Sequence, residues 1–270
     1  MLSFTSGELN GWIVAFFFPL TRILALLVLA PPFNNAALSP RVRVTLGVAI
    51  ALAITPALPP MPNIDPASGL GLWIMAQQML IGFAMGFAMR LVFSAIDMAG
   101  NLISAQMGLG FATFYDPMSS AQTPVISEVL GMLALMLLMA SNGHLMILAT
   151  LTYSFTALPI SLTALGSAPW LSLAESGGKV FYSGLLLALP IIVALLITNI
   201  ALSVLSRAAP QLNLFAIGFG VTLAIGFGLL IIGMSYLAEP LQKLFELGLQ
   251  AMLGHFPSSA NTAATTALAH

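Results

Sequence analysis

The stretch LGLWIMAQQMLIGFAMGFAMRLVFSAIDMAGNLIS, residues 70–104, decides the fold class. It begins apolar, turns polar toward its end, and carries charge only at Arg90 and Asp97. Hydrocarbon offers the backbone no water, and a helix satisfies its own N–H and C=O groups. A run this apolar, longer than the roughly 20 residues a span needs, predicts a long membrane helix. Along it Gly82, Gly86, Arg90, Ser94, Asp97, Asn101 and Ser104 follow at three- and four-residue steps, which places them on one side of the helix. Glycines admit a second backbone and the polar residues offer hydrogen bonds, as suits an interface inside an assembly or a wet cavity. An ordinary contact within the chain, with Arg90 and Asp97 as fixed polar anchors, explains the same spacing. The two charges stand about 10 Å apart along the axis, too far for a direct pair, so each is expected to have its partner elsewhere.

Composition agrees. Of 270 residues, 59% are apolar and 6% charged, with a mean hydropathy of +1.04; a soluble domain carries about 25% charged residues. No soluble fold could cover that much apolar surface. Seven Lys and Arg and a net charge of −1 provide no basic patch. Nucleic acid is therefore not an expected partner, whereas membrane lipid and other apolar proteins are. The absence of cysteine excludes disulfides, thiolate metal sites and cysteine nucleophiles. No basic residue precedes the apolar run Trp12 to Ala30, so it does not read as a cleavable signal, and the first helix is expected to stay.

Charge-poor runs place the other spans, because a charge at the bilayer centre costs roughly 2.5–3.5 kcal/mol. They are Leu9 to Ala30, interrupted by Arg22; Val42 to Leu58; Glu128 to Ile160, broken at Ser141-Asn142-Gly143-His144; Val180 to Ser206; and Leu214 to Ala238, closed by Glu239-Pro240. Leu241 to Leu253 is mildly amphipathic. The expected fold is all-α: a polytopic helical membrane protein of about six hydrophobic segments, some broken into hairpins. Residues 1–254 are expected to form a single helical membrane domain, with 255–270 a disordered C-terminal tail. Basic residues favour an outward N-terminus, with Arg41, Arg43, Lys179 and Lys243 cytoplasmic and Arg207 outside.

Pro and Gly cluster in the loops at 31–40, 56–66, 108–124 and 207–213. Within the third of these, Gly108, Leu109, Gly110, Phe111, Phe114, Tyr115, Asp116 and Pro117 combine helix breakers with bulky apolar rings. Irregular backbone at membrane depth is tolerated where protein buries it or where it lines a cavity, which points to a re-entrant or plugging loop; a surface loop with stray aromatics is the plainer alternative. In the loop at 207–213, Arg207, Pro210, Gln211 and Asn213 read as an interhelical turn with Asn213 as N-cap, unless Gln211 and Asn213 face a partner. Gly220, Ala224 and Gly228 form a second small-residue stripe, for packing within the chain or against another subunit.

Enzyme readings find no site. An intramembrane aspartyl protease needs two carboxylates, and Asp116 has no second half, since Phe111 follows Gly108-Leu109-Gly110. His144 beside a glycine reads as a capped turn, and with His255 and His270 in the tail a metal has too few donors. Ser176-Gly177-Gly178-Lys179 lacks the spacing of a phosphate-binding loop. No catalytic residue, cofactor or metal is expected.

Several segments, in order, resemble the FliR family of type III export-gate subunits and their injectisome counterparts. They are Pro32-Phe33 with Pro40-Arg41-Val42-Arg43, Gln106 to Pro117, Asn142-Gly143-His144 with Ser154-Phe155 and Leu158-Pro159, and Arg207 to Phe215. Asn34 and Ser161 stand where that pattern has glycine, and Gly220 where proline is common; Asn is able to take the left-handed conformation that a glycine at 34 would serve, and the changes at Ser161 and Gly220 bear on a local turn or kink. The resemblance implies a non-enzymatic subunit of a hetero-oligomeric flagellar export gate in the bacterial inner membrane, at the flagellar basal body. It implies FliP-like and FliQ-like subunits as partners, an FlhB-like protein docking on them, and unfolded flagellar proteins in transit. It also maps the family's plug onto 108–124, making Phe111, Phe114 and Tyr115 candidates for obstructing the channel, flanked by the deformable Met107 and Met118. The alternatives are an injectisome subunit and a stand-alone small-solute transporter, for which Arg90, Asp97 and Asn101 are the polar candidates.

Overall fold

The computed structural model describes residues 6–35, 38–59, 61–62, 64–109, 124–162, 168–208 and 214–254. Among them are seven α-helices and no strand: α1 (Ser6–Leu29), α2 (Pro40–Ile54), α3 (Gly69–Gln106), α4 (Val125–Ala140), α5 (Gly143–Ala157), α6 (Ala168–Ala208) and α7 (Leu214–Gly254). The all-α membrane fold read from composition is the one observed. Four stretches are long and apolar enough to cross a membrane, Pro40–Ala57, Gly69–Gln106, Leu173–Ala208 and Gly218–Met252, and α4 with α5 makes a fifth as one broken span. The sixth expected segment, in α1, has a shorter apolar stretch, Val14–Leu29.

Helix boundaries follow local chemistry. α2 starts at Pro40, two residues before the expected Val42, because proline suits the first helical position and the Ser39 hydroxyl accepts a hydrogen bond from the Val42 N–H at 3.4 Å. It passes into a 3-10 turn, Thr55–Ala57, which contains Pro56. The break between α4 and α5 falls where expected: Asn142 takes the left-handed conformation at φ 57°, a helix-stopping geometry open to Asn. Asn34 does not share it, since Asn142 alone among the described non-glycine residues has positive φ. The last helix does not close at Glu239-Pro240. It runs on to Gly254, with Lys243 Nζ meeting Glu239 Oε1 at 2.6 Å across the proline and with Leu241, Phe245, Leu249 and Met252 buried at helical spacing. Nor does α6 wait for Val180; it is already helical at Ala168 and passes through Gly177-Gly178.

The described residues divide into two compact units. The first draws on Met1–Leu91, Asn142–Gly177 and Glu246–His270, the second on Val92–Ser141 and Gly178–Phe245. In the first, α1 supplies Phe18, Ile23, Leu26 and Leu27 to a core that also holds Ile74, Met85 and Met89 of α3 and Ile147, Leu151 and Phe155 of α5. In the second, Ile96, Ala99 and Ile103 of α3 are buried, as are Leu130, Ala134 and Leu138 of α4 and Ala188 and Leu195 of α6. There Phe93 stacks on Phe245 of α7 at 5.9 Å between ring centres.

Candidate functional site

The stripe read along α3 separates into two behaviours. Gly82 and Gly86 are notches in which α1 lies. A Cβ on Gly82 would strike the Arg22 carbonyl oxygen and sit 2.7 Å from Ala25 Cβ; one on Gly86 would sit 2.8 Å from Leu29 Cβ and 2.9 Å from the Leu26 oxygen. Arg90, Asp97 and Asn101 are exposed, Ser94 is half-buried, and Ser104 is buried with its hydroxyl unpartnered among the described residues. Helix geometry explains the split. At about 100° per residue each four-residue step drifts some 40°, so the series swings about 120° from Gly82 by Ser94 and then returns. The face of Gly82 recurs 18 residues on, about five turns, at Gly100. In the second unit a Cβ on Gly100 would strike the Ser127 backbone of α4. Beside it the Ser127 hydroxyl donates to the Asp97 carbonyl oxygen at 3.0 Å, with Asp97 Oδ1 at 3.4 Å.

The root of the loop at 108–117 is sharply built. Gly108 is left-handed at φ 81°, its N–H donates to Ala105 O at 3.1 Å, and the Leu109 N–H donates to Ser104 O at 3.0 Å. This double closure is a glycine-dependent helix stop. Met107, fully buried, sits on Gly226 of α7, where an added Cβ would lie 2.7 Å from its Cε and Cγ. Gly110, Phe111, Phe114, Tyr115, Asp116, Pro117 and Met118 lie outside the described residues, as do Pro210, Gln211, Asn213 and the tail from 255. Arg207 is exposed in the last turn of α6, where a cation complements the carbonyl end of the helix.

A Cβ on Gly220 or Gly228 would meet nothing within 4 Å among the described residues, and Ala224 is exposed. Within the second unit the close approaches are made instead by Gly226 and by Gly184, whose Cβ would lie 2.7 Å from the Ala95 oxygen. Among the described residues of the second unit, the stripe read from sequence thus faces outward.

Sequence reasoning also noted Arg22 only as an interruption. In the first unit it is fully buried, and its guanidinium bonds to Gln78 of α3 and to Ser154 and Leu158 at the end of α5. The signal was present as a cation inside an apolar run, together with adjacent glutamines at 77 and 78, since an ionised group at membrane depth requires polar partners. Which partners it takes depends on three helices meeting.

Residues 13–248 match the family described as bacterial export proteins, family 1. The flagellar biosynthetic protein FliR of Pectobacterium carotovorum is 45% identical over 92% of this chain and 96% of its own length. That of Escherichia coli K12 is 42% identical over 91% and 94%, and that of Bacillus subtilis 27% identical over 88% and 93%. With its apolar helices and this likeness along nearly its whole length, the chain belongs to the bacterial export proteins, family 1, as a flagellar FliR-type membrane protein of the export apparatus.

Proposed function

We propose that the chain is a structural, non-catalytic subunit of the flagellar type III export gate in the bacterial inner membrane. In this reading it assembles with FliP-like and FliQ-like subunits, offers a docking place to an FlhB-like protein, and helps enclose a channel for unfolded flagellar proteins. The observation that carries the reading is how little of its most apolar helices the chain buries by itself. Half of the apolar window of α3 is buried, against 22% in α6 and 17% in α7. Phe181, Ile197, Ile200, Val204, Ile231 and Ile232 are all more than half exposed. Apolar partner helices and lipid are the surroundings that suit such faces. The outward stripe of Gly220, Ala224 and Gly228 suits close helix contact, the means by which helices associate where lipid is as apolar as the side chains. Exposed Arg90, Asp97 and Asn101 on α3 favour protein or water over hydrocarbon, where a central charge costs roughly 2.5–3.5 kcal/mol.

The segment 108–117 acts in this proposal as the plug of the resting channel. The glycine stop at Gly108 and the seating of Met107 on Gly226 support it by fixing where the segment leaves α3. Deleting residues 110–115 should make resting membranes permeable to ions while the complex still assembles. Unchanged ion permeability in an intact assembly would remove the plug from the account.

A further inference from the structure

Arg22 is the one charged side chain fully buried among the described residues. A guanidinium has five N–H groups, and here every one has an acceptor. Nε donates to Gln78 Oε1 at 2.8 Å and Nη2 to the same oxygen. Nη1 donates to Ser154 O at 2.9 Å and Ser154 Oγ at 3.1 Å, and Nη2 also reaches Leu158 O at 2.9 Å. The Phe155 ring lies 4.2 Å from the guanidinium carbon, presenting its electron-rich face. All the acceptors are neutral. Two of them are carbonyls at the C-terminal end of α5, the negative end of the helix dipole.

The residue just before Gln78 on α3 continues the pattern. Gln77, its amide oriented by its neighbours, accepts from Trp73 Nε1 at 2.9 Å and donates to Ser161 O at 3.1 Å. The turn Leu158-Pro159-Ile160-Ser161 is therefore tied at its first residue by α1 and at its last by α3, with Ile160 only 8% exposed.

We propose that Arg22 is a latch that holds the turn after α5 against α1 and α3. Moving the turn away would take Leu158 O from Nη2 and leave a buried cation with an unmet N–H in an apolar core, which is costly. Arg22 is therefore a positioning residue for the turn.

The chain has no cysteine, so single reporters are clean. In native membranes, full-length chains carrying Ile160→Cys or Ile147→Cys are reacted with a small maleimide, with and without Arg22→Met. Ile147 is fully buried in the first half of α5 and reports on general loosening. The latch predicts that Arg22→Met speeds labelling at position 160 at least tenfold and leaves position 147 protected. Continued protection at 160 overturns it, and so does equal opening at 147, which would make Arg22 a general support of the core. Should Arg22→Met not reach the membrane, Gln78→Leu removes the acceptor of Nε and Nη2 from an intact arginine. It is expected to expose position 160 in the same way, and unchanged protection there overturns the latch.

Discussion

Replacing glycines by alanine one at a time separates the faces that are already packed from those that stand open among the described residues. At Gly82 the new methyl would collide with a backbone carbonyl of α1 and with Ala25 Cβ at 2.7 Å, neither of which can swing aside as the end of a long side chain can. Overpacking of this kind costs about 1–3 kcal/mol, with a backbone collision near the upper half of that range. Alanine returns about 1 kcal/mol over glycine in a helix interior, leaving Gly82→Ala destabilised by about 1–2 kcal/mol. At Gly220 nothing among the described residues lies within 4 Å of the new methyl. There only the propensity gain of about 1 kcal/mol remains. The two variants should differ by about 2–3 kcal/mol, which at about 2–4 °C per kcal/mol for a chain of this size is about 4–12 °C in Tm. Melting the tagged, purified chains in one mild detergent, followed by circular dichroism at the helical band, measures it. If Gly82→Ala melts at or above the parent, or Gly220→Ala falls as far as Gly82→Ala, the assignment of inner and outer faces is wrong.

The seating of Met107 on Gly226 predicts coupling: Gly226→Ala displaces a flexible side chain and costs less than Gly82→Ala, whereas Met107→Ala leaves a cavity costing about 2–5 kcal/mol. The double variant should lose less than the sum by at least about 0.5 kcal/mol in the same melt, and strict additivity would count against the contact. At Asn142, φ 57° disfavours a branched side chain. Asn142→Val should lose about 1–2 kcal/mol while Asn142→Gly loses nothing, and equal melting of the two would refute the left-handed junction.

The parts of the fold that show in the sequence are those fixed by local chemistry. Residues 70–104 are apolar enough to be a membrane helix in any context, and Ser141-Asn142-Gly143 carries its own stop. What sequence hides depends on distant partners. Pro240 removes a helical donor and reads as an end, yet burial of Leu241 and Phe245 keeps α7 continuous past it. The span that reads from Val180 in fact begins at Ala168, and the helix passes through Gly177-Gly178 with nothing within 4 Å of either glycine among the described residues. On α3, counting in threes and fours gathered Gly82, Gly86 and the polar residues into one stripe, and helical drift then divided it between a packed notch and an exposed flank. Gly100, Gly184 and Gly226 carry no sequence mark that separates them from Gly220 and Gly228; only the neighbouring helix distinguishes them. Arg22 was visible as a misplaced charge, but its acceptors come from two other helices more than 50 residues away.

The central claim is that this chain works as one subunit among others, with α6 and α7 covered by partner helices. Affinity purification of the tagged chain from native membranes in mild detergent, with mass spectrometry of what accompanies it, tests that most directly. The account predicts recovery of FliP-like and FliQ-like proteins, lost when Gly220 or Gly228 is replaced by leucine although the chain itself still reaches the membrane. Recovery of a stable chain alone would contradict it and turn attention to a transporter built around Arg90, Asp97 and Asn101.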